Sequence, residues 1–155
     1  MTFRLSGLDP APFAPLFALD DASLARHGAR RVLADRDSGY PCRVGLADAL
    51  VGDELLLLHW EHVPGATPYR ASGPIFVRRH ARRRVLAPGE VPPYVSRRLM
   101  SLRAYDAASA MVDACVCEGG DVASELTRLL DDAAVSFVHL HNARRGCYSC
   151  VAHRA

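Results

Sequence analysis

The chain contains no lysine; all nineteen basic residues are arginine. Without a lysine amine there is no internal Schiff base, so lysine-linked pyridoxal phosphate and lysine-aldolase chemistry are excluded. A Walker A phosphate loop is excluded for the same reason. Glutamine is also absent, Asn142 is the single Asn and Ile75 the single Ile. Heavy use of Ala, Arg, Gly and Pro in their place points to a GC-rich bacterial genome. Long apolar runs are missing too: Leu55 to Leu58 is far too short to cross a bilayer. No apolar stretch of leader length follows the basic start, so a cytoplasmic protein with no membrane association is expected. Five cysteines (Cys42, Cys115, Cys117, Cys147, Cys150) are an odd number, which suits thiols in a reducing compartment.

What is present is globular. Half of the 155 residues are apolar and 23% are charged, and the length suits one domain spanning 1–155. A net charge of +2 argues neither for nor against nucleic acid.

Local patterns then give the elements. Asp20 reads as an N-cap and Gly28 as a stop for a short helix over Asp21 to His27. Arg30 to Asp35 and Cys42 to Leu46 read as short strands. Glu54 to His62 reads as a central strand, with Leu56, Leu58, Trp60 and His62 on one face. Pro64 to Pro74 reads as a loop and Ile75 to Arg79 as a strand. Arg97 to Tyr105 and Ala110 to Cys117 form a hairpin that turns near Asp106. Asp121 is the clearest N-cap signal, opening an amphipathic helix over Val122 to Asp131. Val135 to His141 and Cys147 to His153 close the chain as strands. The pattern predicts an α+β fold, with a mostly antiparallel, curved or partly closed sheet and one long and one short helix.

Val135 to Cys150 concentrates the chemistry. Residues i and i+2 of a strand share a face, so His139 and His141 offer two imidazoles to one metal, zinc or another divalent ion. A third ligand would come from His62, Glu61, Asp106 or a cysteine of another strand. The plainer reading has one histidine buried and bonded and the other half wet. Cys147 and Cys150 carry redox or zinc spacing, but on a strand they point to opposite faces and no helix follows, so small buried thiols are favoured. Cys115 and Cys117 share a face at a spacing uncommon for zinc.

Several segments carry a resemblance. They are Tyr40-Pro41-Cys42-Arg43-Val44, Pro68-Tyr69-Arg70-Ala71-Ser72-Gly73-Pro74-Ile75-Phe76-Val77, Arg103-Ala104-Tyr105-Asp106-Ala107 and His139-Leu140-His141-Asn142-Ala143-Arg144. In this order they resemble the bacterial family catalogued as domain of unknown function 1203. The resemblance brings no activity and no residue roles.

The residues themselves favour an anionic small molecule held at strand ends. Arg103, Arg144 and Arg70 would hold the anion and Tyr105, Asn142 and Tyr69 would orient it. His141 and His62 would move protons and Asp106 would fix a histidine or an arginine. A metal enzyme built on His139 and His141 is the alternative. A third reading is an interaction module using Arg78 to Arg84, five arginines in seven residues, against an acidic protein or nucleic acid. No stacking aromatics are interleaved with that run, so nucleic acid is the weakest of these partners. No Gly-x-Ser-x-Gly elbow supports a serine nucleophile.

Overall fold

The computed structural model describes residues 2–155. It is α+β, with its strands divided between two open, mostly antiparallel sheets rather than joined in a partly closed one. Sheet I contains β1 (Phe3–Ser6), β7 (Leu99–Tyr105), β8 (Met111–Glu118), β9 (Phe137–Asn142) and β10 (Tyr148–Arg154), in the order β1-β10-β9-β7-β8. Sheet II contains β2 (Ala29–Leu33), β3 (Pro41–Cys42), β4 (Ala47–Asp48), β5 (Glu54–Val63) and β6 (Ala71–Arg78), in the order β2-β5-β6-β3-β4. The helices are α1 (Asp21–Arg26), α2 (Pro93–Ser96) and α3 (Val122–Asp131), with a 3-10 turn at Ala14–Ala18. No helix among the described residues is long and apolar enough to cross a membrane.

Helix α3 buries Val122, Leu126, Leu129 and Leu130, spaced i, i+4, i+7 and i+8, which places them on one stripe. That stripe packs on one face of sheet I, against Met100, Leu102, Ala104, Val138, Leu140, Cys150 and Ala152. Arg154 ties down the end of α3, donating to the carbonyls of Leu130, Asp132 and Val135. A second core lies on sheet II, where Leu56, Leu58, Ile75 and Val77 meet Phe13, Phe17, Leu24 and Tyr148.

Of the two expected N-caps, one caps its helix and the other does not. The Asp20 carboxylate accepts the Ser23 N–H at 2.7 Å and caps α1. Asp121 makes no side-chain cap bond, because its own backbone is already helical (φ −95°, ψ −3°) at the end of a 3-10 turn. An N-cap aspartate needs extended backbone to reach forward to the N–H groups. Two strands also depart from expectation: Cys42 to Leu46 is strand only at Cys42 and then turns, and β6 begins at Ala71 inside the expected Pro64–Pro74 loop. Strand β3 meets β6 only at Phe76, so Pro74 lies in a half of β6 with a neighbour on one side only, where a missing N–H is tolerated.

Candidate metal centre

Alternate residues of sheet I build the site. Phe137, His139 and His141 lie on the face of β9 away from α3, and the registers Arg103↔His139 and Ser101↔His141 bring β7 residues to the same face. From β10, Tyr148 stands opposite His141 and Val151 opposite His139. Val135, just before the strand, lies in the core under α3.

Three β-bulges, two in sheet I and one in sheet II, shape the surroundings of this face. In β5 the extra residue is His62 itself, between the pairs Glu61↔Ser72 and Val63↔Ala71. In β10 it is Ser149, which lets Tyr148 face the histidines while Cys150, two residues on, faces the core under α3. In β8 it is Val112, opposite the step from Ala104 to Tyr105. An extra residue bends a strand and re-aims the side chains beside it.

The result is that His62, from sheet II, meets His139 and His141. Each offers one ring nitrogen, and the three nitrogens lie within 4.8 Å of one another. His139 is 6% exposed and His141 fully buried. Buried ring nitrogens without a hydrogen-bond partner remain on all three: Nδ1 of His62, Nδ1 of His139 and Nε2 of His141. Tyr148 stacks on His62, with ring centroids 5.5 Å apart and planes 12° from parallel. It also packs edge-on to His139 and His141.

The protonation state of His141 follows from its partner. Its Nδ1 lies 3.0 Å from the Gly146 carbonyl oxygen, which only accepts. Nδ1 therefore carries the hydrogen and Nε2 keeps its lone pair, the arrangement that backbone carbonyls impose on metal-binding imidazoles. Gly146 presents that carbonyl from a left-handed backbone (φ +76°), which favours glycine in the Asn142–Cys147 turn. Burial pushes His139 and His141 down to about 3, and His62 is lowered in the same way, so all three rings are neutral at pH 7.

The remaining expected residues divide. Tyr105 is buried beside the cluster, with its ring 5.3 Å from that of His139, and Arg103 and Tyr69 act on its hydroxyl. Arg103 also reaches the three histidines with its charge. Asn142 faces the other way, paired with Met100 and donating to the Cys147 thiol. Asp106 accepts the N–H groups of Ala108 and Ala110 and holds its turn, so it fixes neither a histidine nor an arginine. Arg70 is exposed and paired with Glu61, and Arg144 is exposed in its turn. Tyr148, Gly146 and Ser149 were not foreseen; the only sequence signal for them is the Gly146 stop after Asn142.

Arg43 was also missed. It is 1% exposed and donates to the carbonyls of Tyr148 and Pro41 and to the Cys147 Sγ, at 3.1 Å, so it braces the loop that leads into β10. The arginines of the Arg78–Arg84 run are all exposed, and four of the five have partners within the chain. Arg78 pairs with Asp53, Arg79 with Glu54 and Arg84 with Glu90, while Arg83 donates to the Gly7 carbonyl. A shallow cleft of about 290 Å³ lined by Gly28, Arg30, His59 and Pro74 includes none of the three clustered histidines.

In structural class this is a two-sheet α+β protein with a three-histidine cluster between its sheets. The chain belongs to the family described as protein of unknown function (DUF1203), whose model matches residues 39–154 and so takes in all three histidines. No curated protein and no solved structure matches it.

Proposed function

We propose that the protein binds one divalent transition-metal ion through His62, His139 and His141 and presents it to a small molecule. One observation carries this reading: three imidazoles converge, with one nitrogen of each within 4.8 Å of the others, and each ring also has a buried nitrogen without a hydrogen-bond partner, a state that costs about 1–3 kcal/mol each. A shared cation compensates all three at once. Neutral imidazole suits zinc, copper, iron or nickel, and three protein ligands with an open position is the pattern of catalytic rather than structural zinc sites. Nitrogens around a tetrahedral zinc lie about 3.4 Å apart, so ring movements of roughly 1 Å close the cluster from its 4.8 Å span.

The depressed histidines fit ligation better than proton transfer. A general base works best with a pKa near the operating pH, whereas His141 at about 3 stays neutral and weakly basic. The anionic-pocket reading keeps Arg103, Tyr105 and Tyr69 near the cluster. The interaction-module reading has less to carry it, because four of the five exposed arginines of the basic run already have partners within the chain.

Equilibrium dialysis against Zn2+ followed by elemental analysis tests this. One ion per wild-type chain is expected, and none in a His139→Ala, His141→Ala double variant that keeps its circular dichroism. Equal zinc content in the two folded proteins would sink the proposal.

A further inference from the structure

Arg103 is the cation closest in register to the cluster. It stands directly opposite His139 on the same face of sheet I and beside the buried Tyr105 hydroxyl. None of the ion pairs among the described residues includes it. The nearby carboxylates are committed elsewhere: Glu61 to Arg70, and Asp106 to the N–H groups of its turn. The three-histidine group itself contains no carboxylate. A divalent ion on three neutral imidazoles, with a guanidinium alongside, would concentrate positive charge with no negative partner from the protein. Buried or half-buried charge of that kind requires a counter-ion.

The strand next to Arg103 is open to solvent. Ala114, opposite Arg103, and Val116, opposite Ser101, are exposed, and Tyr69, whose hydroxyl acts electrostatically on that of Tyr105, is 41% exposed. We infer that the small molecule taken by this centre is an oxyanion, a carboxylate or a phosphoryl group. One oxygen would fill the coordination position the histidines leave open, and another would accept from the Arg103 guanidinium and the Tyr105 hydroxyl. This rests on the three-histidine reading and adds the substrate class to it. A guanidinium fork matches either oxyanion with paired N–H donors, which a lone metal position cannot do.

Co2+ serves as both metal and reporter, since its visible bands change with its ligands. Binding of Co2+ to the wild-type protein and to Arg103→Ala is measured first. Acetate and inorganic phosphate are then titrated separately at constant ionic strength, with chloride as the control anion. The expected result is one Co2+ per chain in both proteins, and a saturable band shift with one of the oxyanions. The apparent Kd for that anion should be raised roughly tenfold or more in Arg103→Ala. Saturation by acetate assigns a carboxylate, and saturation by phosphate a phosphoryl group. Three results overturn the inference while leaving the metal centre standing: equal anion affinity in the two proteins, a response to chloride as strong as to either oxyanion, or no response at all. Failure of Co2+ to bind the wild-type chain, seen before any anion is added, would remove the metal centre and this inference with it.

Discussion

Sheet I has two faces made from alternate residues of the same strands, and they are opposites. Toward α3, Leu102, Val138 and Leu140 are fully buried among apolar neighbours. Toward sheet II, Arg103, His139 and His141 carry polar atoms, and one nitrogen of each histidine is buried without a partner. The first face lowers the free energy of folding by removing apolar area from water. The second raises it by leaving imidazole nitrogens dry and unsatisfied. A single strand, β9, therefore bears the core on its even-numbered residues and the chemistry on its odd-numbered ones. Stability drawn from one face permits strain on the other.

Substitutions on the two faces should separate cleanly. Leu140→Ala, on the helix side, should cost about 2–5 kcal/mol in urea unfolding while the folded fraction keeps its zinc stoichiometry. If zinc content falls in that folded fraction, the faces are not independent. Zinc at 100 times its Kd should stabilise the wild-type chain by about 2.7 kcal/mol, seen as a rise in Tm. The same addition should leave the His139→Ala, His141→Ala variant unmoved.

Acid sharpens the contrast in the chelator-treated protein. Unfolded histidine takes up its proton near 6.5, while His139 and His141 resist until about 3 in the folded chain. Between those values the unfolded state binds more protons, so stability should fall continuously as pH drops from 6.5 toward 3. The slope should approach two protons in denaturation followed against pH. A His139→Leu, His141→Leu double variant should flatten it. Gly146→Ala, which strains the φ +76° turn and shifts the carbonyl held by His141, should weaken zinc roughly tenfold in a competition titration. The smallest effect is expected from His139→Leu in the metal-free protein, where trading an unpaired imidazole for an apolar side chain should change stability by about 1 kcal/mol or less.

Much of this contrast is visible in strand periodicity. Period two places His139 and His141 together, and the same rule puts His62 with Leu56, Leu58 and Trp60. The helix α3, the hairpin of β7 and β8, and the short α1 are also legible, because their signals are local. What joins His62 to the other two histidines is not. The partners lie far apart along the chain and meet through the packing of one sheet on another, and the bulge that contains His62 leaves no mark in Glu61-His62-Val63. The Ser149 bulge is equally silent, yet it decides that Tyr148 and Cys150 part company. Division into two sheets depends on the pairings β1 with β10 and β2 with β5, which no local pattern specifies. Asp106 and Asp121 misled for a shared reason: an aspartate in a turn satisfies backbone N–H groups or not according to φ and ψ, which composition does not give.

The position of β9 in its sheet sets a clock as well as a shape. It is the middle strand of five, with β10 on one side and β7 on the other. Its amide hydrogens should be among the last to exchange with solvent deuterium, since releasing them means parting the sheet at its centre. Two of the three clustered histidines thus sit on a segment that should open only when the sheet does. The exchange lifetime of those amides, measured with and without zinc, would convert occupancy of the cluster directly into time.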